Sequence, residues 1–262
     1  MTKEDTLFRR RLEDLIERSD RIGYPVYSDF LDGGQRLIAE TLSLPPQIRM
    51  MFIGGYEDAE RVIAAFYPAF FNYTMDNGVP EEDMDHPVRA LDIRLKAAKF
   101  VHKVPGHRDY LGALMGLGIK RETMGDILVH EGGAVLITLE SVSAYIQESL
   151  TSVGAAEVIV DPIPLADVGK YIPDGQEKII DVSSARLDAV ISKTFNMGRS
   201  DALQWVRSGR VHLNWKEMLQ NDKAVKAGDL ISVRGKGRIR ILEEVGTTRS
   251  GRIKLKIEKF GS

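Results

Sequence analysis

One stretch, residues 184–240, constrains this chain more than any other. Leu187, Val190 and Ile191 recur at i, i+3 and i+4, the spacing of a single apolar helical face. Gly198 interrupts that face. Ser200 then stands at the N-cap position of a second helix, Leu203 and Val206 give it a buried side, and Gly209 stands at the C′ position that closes it. Val211 and Leu213 alternate with Arg210, His212 and Asn214, the pattern of a strand with one wet face. The expectation is two short helices, a turn and a small antiparallel sheet.

The cations of this stretch lie off the apolar positions. Arg186, Lys193, Arg199, Arg207, Arg210 and Lys216 fall on what would be the solvent side, and Arg199 and Ser200 sit at a helix start, where free N–H groups and the helix dipole favour a phosphate. Net charge is −2 over 262 residues, but residues 181–262 carry 17 Lys and Arg against 9 Asp and Glu, net +8, and the remainder carries 19 against 29, net −10. A basic third beside an acidic body is the electrostatic footprint of a nucleic-acid-binding module. Residues 235–238, Gly-Lys-Gly-Arg, form a basic turn. Ile239, Ile241, Ile253, Leu255 and Ile257 then alternate with Arg238, Arg240, Arg252, Lys254 and Lys256, two strands with cationic outer faces.

Arg186-Leu187-Asp188, Arg199-Ser200, Gly209-Arg210-Val211-His212-Leu213-Asn214 and Gly228-Asp229, in that order, resemble the αL-type RNA-binding domain named after small-subunit ribosomal protein S-four. The resemblance implies RNA contacts at Arg186, Lys193, Arg199, Ser200, Arg207, Arg210, Asn214, Trp215, Lys216, Arg234, Lys236 and Arg238. The strand turn in that family is often Asn-Gly, whereas here it is Asn214-Trp215-Lys216. Trp215 either stacks on a base or packs on the sheet.

The rest of the chain reads as an α+β protein. Residues 3–22 form an amphipathic helix with Phe8, Leu12, Leu15 and Ile16 on one side. A second helix spans 36–42, a strand spans 47–53, and Gly54-Gly55 precedes a helix expected over 57–66. Strand, Gly-Gly, helix suggests a phosphate cradle, but the spacing of a P-loop or dinucleotide fingerprint is missing, which favours a plain turn. Residues 81–85 are an acidic linker. From residue 88 the elements run β-α-β-β-α-β: a strand over 90–95, a helix over 109–117 with Leu111, Leu114 and Met115 inward, a hairpin of 126–130 and 134–139, a helix over 142–150 and a strand over 157–160. That order is ferredoxin-like, shared with RNA-recognition domains, but without the aromatic stripe on which those domains stack bases. The expected division is 1–80 as an N-terminal α/β region, 86–165 as the ferredoxin-like domain, 166–183 as a linker and 184–262 as the RNA-binding domain.

His107, Arg108 and Asp109 are dense in chemistry. They read as a helix N-terminus, with His107 and Arg108 as secondary contacts to RNA or a neighbouring domain, ahead of a catalytic cluster. Gly112 and Gly116, four apart, would admit a close backbone approach. Together with Gly54-Gly55-Tyr56, Ala59-Glu60-Arg61, Gly125-Asp126-Ile127-Leu128 and the C-terminal signature, this stretch resembles the YlmH family of bacterial proteins. The photosystem-II-associated S-four-domain protein shares the same plan. The resemblance implies a non-catalytic factor that binds structured rRNA or tRNA on a ribosomal subunit, a role in clearing obstructed large subunits and a genetic neighbourhood in cell division.

Two other functions compete. In one, the chain is an RNA-modifying enzyme of pseudouridine-synthase or methyltransferase type that docks through the S-four-type domain. The Thr/Ser-Gly-Leu continuation of the synthase motif does not follow Asp188, however, and no methyl-donor loop is present. In the other, the acidic body is a protein-interaction scaffold. The five histidines, 86, 102, 107, 130 and 212, lack ligand spacing, so no metal site and no cofactor are expected. The chain has no cysteine, its N-terminus is charged and its longest apolar run is short, so the expected setting is a reducing cytoplasm with no membrane and no DNA partner.

Overall fold

The computed structural model describes residues 2–76, 78–81, 84–96, 104–172 and 175–260. Glu82 and Asp83 of the acidic run, His102, and Pro173-Asp174 of the expected linker lie outside the described residues. The chain divides into two compact units, Met1–Ile172 and Pro173–Ser262.

The first unit opens with α1 (Lys3–Ile22), started by a reciprocal Thr2–Asp5 capping box and closed by Gly23 at φ 69°. Leu12 and Ile16 are buried and Phe8 and Leu15 flank them, as the periodicity predicts. β1 (Val26–Tyr27) and α2 (Gly33–Glu40) follow. Gly33 and Gly34 lie inside the first turn of α2, because Asp32 and Gln35 form a second capping box. β2 (Ile48–Ile53) pairs with β3 (Ile63–Pro68), and β1 completes a three-stranded antiparallel sheet in the order β1-β3-β2. The helix expected over 57–66 is therefore wrong. Residues 63–68 form a fully buried strand, and an apolar run of that length carries no period that distinguishes strand from helix. Gly54-Gly55 is a packed turn: a Cβ on Gly54 would stand 2.2 Å from that of Ala59, which leaves no cradle for a phosphate.

A short ribbon of β4 (Met75–Asp76) and β5 (Val79–Pro80) leads to β6 (Val88–Leu95). Next come α3 (His107–Gly116), β7 (Met124–His130), β8 (Gly133–Leu139), α4 (Glu140–Ser149), β9 (Ser152–Val153) and β10 (Ala156–Ile163). The five strands make one sheet, β7-β8-β6-β10-β9. β10 runs through Pro162 to Ile163, three residues past the end expected at 160. One face of the sheet buries Leu91, Ile93, Leu136 and Val158 under Tyr110 and Leu114 of α3 and Ile146 of α4. Met115 points outward, about half exposed, because the inward stripe of α3 runs through Tyr110 and Leu114, four residues apart. Nothing lies within 4 Å of where a Cβ on Gly112 or Gly116 would stand, so no close approach uses them. On the opposite face Ala90, Val135 and Ile137 are buried against Phe30, Tyr56, Val62, Ile63 and Val168.

After a 3-10 helix (Leu165–Tyr171), the second unit starts with β11 (Gln176–Val182). α5 (Leu187–Thr194), α6 (Arg199–Arg207), β12 (Val211–Leu213), β13 (Lys216–Glu217), β14 (Leu230–Val233), β15 (Gly237–Thr247) and β16 (Ile253–Phe260) follow. The sheet order is β11-β16-β15-β14-β12-β13, antiparallel throughout. Much of the expected linker is thus structured: β11 pairs with β16 along its whole length, and the Lys178 ammonium donates to the Thr194 carbonyl at the end of α5 at 3.0 Å. Leu187, Val190 and Ile191 of α5 and Ala202 and Val206 of α6 are wholly buried with Val211, Ile231, Ile239 and Ile257. Each large side chain so buried contributes about 1.5–3 kcal/mol.

Candidate nucleic-acid interface

The two helices of the second unit meet at a carboxylate. Asp188 lies in the first turn of α5, is 1% exposed, and takes Arg186 Nε at 3.2 Å on Oδ1 and Arg199 Nε at 3.5 Å on Oδ2. One buried anion therefore draws together cations from the starts of both helices. The dipole of α5 favours that anion. Arg199 remains more than half exposed, with N–H groups left for a ligand. Ser200 is not the cap: Gly198 occupies that position, and Arg199 and Ser200 form the first turn, exposed, followed by Asp201.

A second group of cations forms where α6 turns into β12. Gly209 closes the helix at φ 69°, as its position predicts. The Arg210 guanidinium then lies over the Trp205 ring, 5.3 Å from its centroid, and Lys236 Nζ over the same ring at 5.8 Å. Arg234 joins them, its N–H donating to the Arg210 carbonyl at 2.9 Å. Lys193, Arg207 and Lys216 are exposed, and among the described residues no carboxylate pairs with them or with Arg210, Arg234 or Lys236. Arg238 stands opposite Ser232 in the β14–β15 ladder.

The β12–β13 turn holds two of the expected contact residues. Asn214 and Trp215 are its two central residues, both left-handed at φ 49° and 64°. The Asn214 carboxamide is held inside the unit, its Nδ2 donating to Asp229 Oδ1 and its Oδ1 accepting from the Leu230 N–H, each at 2.9 Å. Asn214 is a turn residue with its amide engaged, and Trp215 is half-buried beside it. Two residues organise the surface without having been expected to touch RNA: Asp188, present in the sequence only as part of a motif, and Trp205. Asp188 acts where the starts of α5 and α6 meet, and Trp205 where the end of α6 meets the β14–β15 turn.

His107 and Arg108 belong to the other unit. They open α3 after the Gly106 N-cap, exposed, with Asp109 Oδ2 accepting from the Gly106 N–H at 2.8 Å. Desolvation and the Arg121 charge hold the His107 pKa below its ordinary value. Nearby, Asp126 Oδ2 accepts from the Tyr56 hydroxyl and the Glu60 N–H, both at 2.7 Å, and Arg61 and Arg121 both donate to the Met124 carbonyl. These bonds tie the loop before β3 to the start of β7, a structural use of residues 59–61 and 125–128. The sheet face turned away from α3 and α4 carries Asp92 and Arg94 on β6, with Asp92 near His130 and Tyr171, and among the described residues no row of exposed aromatic rings. Among the described residues no three His, Asp or Glu side chains gather to hold a metal, and no helix is long and apolar enough to cross a membrane.

Residues 80–167 match the model of a family described as the putative RNA-binding domain in YlmH. The whole chain is also similar to the ribosome-associated protein quality control protein P2 of Bacillus subtilis, 32% identical over 232 residues that cover 88% of this chain and 86% of that protein. The chain belongs to the YlmH family. Among solved structures, this YlmH-family chain is similar to the cell division protein ylmH from Streptococcus pneumoniae. The two are 21% identical, with a TM-score of 0.48, over 64% of this chain and 95% of that one.

Proposed function

We propose that this YlmH-family protein is a non-catalytic RNA-binding factor of the ribosome that grips structured rRNA or tRNA through residues 184–262. The observation that carries this is the cation set of the second unit. Arg186 and Arg199 are ordered by one buried carboxylate, and Lys193, Arg207, Arg210, Lys216, Arg234 and Lys236 have no acidic partner among the described residues. Lys and Arg held this way bind phosphates and release counterions. The unit reads as an S-four-type domain with β11 as an added strand. The sheet order β7-β8-β6-β10 with α3 and α4 on one face supports a ferredoxin-like, RNA-recognition-like reading of residues 86–165. The relative's name supports work on the ribosome, and clearance of obstructed large subunits is the role that fits a quality-control partner. A link to cell division rests on the name of the pneumococcal protein alone.

The test is co-sedimentation of the full chain with purified large subunits across a salt series. Binding should weaken steeply as salt rises, and Arg207→Glu should weaken it while the unfolding temperature stays unchanged. Equal binding by a folded Arg207→Glu protein would overturn the reading. Mass spectrometry of rRNA and tRNA from a deletion strain checks the enzymatic alternative, which predicts one missing modification.

A further inference from the structure

The Trp205 ring collects two cations from elements far apart in sequence. Arg210 follows the closing turn of α6, and Lys236 lies in the β14–β15 turn. Both charged groups lie within 6 Å of the ring centroid. The backbone holds the arrangement as well: the Arg210 N–H donates to the Trp205 carbonyl at 3.2 Å, and the Arg210 carbonyl accepts from Arg234 N–H at 2.9 Å. Trp205 packs partly on the core of the unit, so the ring is fixed while its cations are not buried. Without the ring, two long side chains on separate turns would each lose conformational entropy on meeting one anion. An aromatic face places them beforehand, and each cation–π contact is worth about 0.5–1 kcal/mol at an exposed site.

We propose that Trp205 is a positioning residue that assembles Arg210 and Lys236 into a single phosphate grip for the RNA backbone. The ligand is a phosphate diester. Trp205 reads no base and supplies no charge of its own. This rests on the RNA-binding reading above and adds to it a named point of contact.

The experiment uses the full chain and two probes. With a structured rRNA fragment, Arg210→Gln and Lys236→Gln should each weaken binding about tenfold and reduce the log–log salt slope by about one. Trp205→Leu, which keeps an apolar side chain on the core, should weaken binding by a similar factor. In the Trp205→Leu background, Arg210→Gln should cost much less than in the wild type, and Trp205→Phe should restore binding. Additive effects of Trp205→Leu and Arg210→Gln in folded proteins would overturn the grip. The second probe is inorganic tripolyphosphate, titrated into protein labelled with 5-fluorotryptophan. The Trp205 fluorine resonance, assigned by its absence in Trp205→Phe, should shift, and Arg210→Gln should abolish that shift. A shift without any RNA binding would leave the grip standing and sink the RNA reading. RNA binding with no shift and additive mutations would do the reverse.

Discussion

The sheets of the two units are built from similar antiparallel strands, yet they present different surfaces. In the first unit, the five-stranded sheet packs α3 and α4 on one face. Much of the other is buried against Phe30, Tyr56, Val62 and Ile63, which come from the N-terminal 76 residues. The sheet face turned away from α3 and α4 is here largely a core. In the second unit, the helices cover one side of the sheet, and Arg207 of α6, Arg210 of the turn after it and Arg234 and Lys236 of the β14–β15 turn have no acidic partner among the described residues. A strand order is a statement about packing; the capacity to bind RNA depends on what the packing leaves uncovered. Residues 80–167 are the stretch that matches the model described as the putative RNA-binding domain in YlmH. If that part does touch RNA, it does so through edges and loops such as the exposed start of α3, with His107 and Arg108.

The sharpest way to break this contrast is to disturb each unit separately. The largest effect is expected at Gly133, the first residue of β8, at φ 154°. A Cβ there would stand 2.0 Å from the Ile93 carbonyl oxygen, and backbone cannot retreat as a side-chain tip can. Gly133→Ala should destabilise the first unit by about 3 kcal/mol or more in a denaturant titration. If the second unit alone carries RNA affinity, binding measured below the new midpoint should hold. A parallel loss of affinity would show that the first unit contributes. Next in size is the double charge reversal Lys193→Glu with Arg207→Glu. It should reduce RNA affinity about a hundredfold, close to 2.7 kcal/mol, with little change in stability. Arg199→Glu is a poorer probe, because it would set a second carboxylate against Asp188.

Most of the fold was legible where one period dominates. α1 announces itself by the spacing of Leu12 and Ile16, and α5 by that of Leu187, Val190 and Ile191. The strands of the second unit are legible because cations and aliphatics alternate along them. β3 was not, since Ile63 to Pro68 is buried on both faces and its sequence has no polar side to mark the pleat. β11 was read as linker because its flanks carry Pro173 and Ser183-Ser184. Only its pairing with β16, some eighty residues later, makes it a strand. The site divides similarly. The cations could be listed from the sequence, but which of them share an anchor could not. Asp188 serves Arg186 two positions away and Arg199 in another helix, and Trp205 serves Lys236 of the β14–β15 turn.

A smaller effect separates charge from order at that anchor. Asp188→Asn raises the net charge of the second unit by one, so counting charges alone predicts tighter RNA binding. The geometry predicts the opposite. Without the carboxylate, Arg186 and Arg199 lose the partner that fixes them, and the unit should lose about 1–3 kcal/mol of stability. We expect RNA affinity to fall, measured well below the midpoint of unfolding. A rise would mean that the field of the whole surface, and not the placement of individual arginines, governs binding.

The smallest expected effect is at Trp215. A left-handed conformation costs a residue with a Cβ about 1–2 kcal/mol, and the two-residue turn joining β12 to β13 asks it of both Asn214 and Trp215. Asn214 suits the turn, with its carboxamide bonded to Asp229 and Leu230. Glycine is the residue such a turn prefers in the place of Trp215. Strain at a single exposed-side turn, beside a cationic surface, is what a side chain kept for contact looks like. Trp215→Gly should therefore leave the unfolding temperature unchanged or raise it by a degree or two, corresponding to less than about 1 kcal/mol, while RNA affinity falls a few-fold. A clear loss of stability with affinity intact would make Trp215 a packing residue of the sheet, and would leave Trp205 as the aromatic ring on which this surface depends.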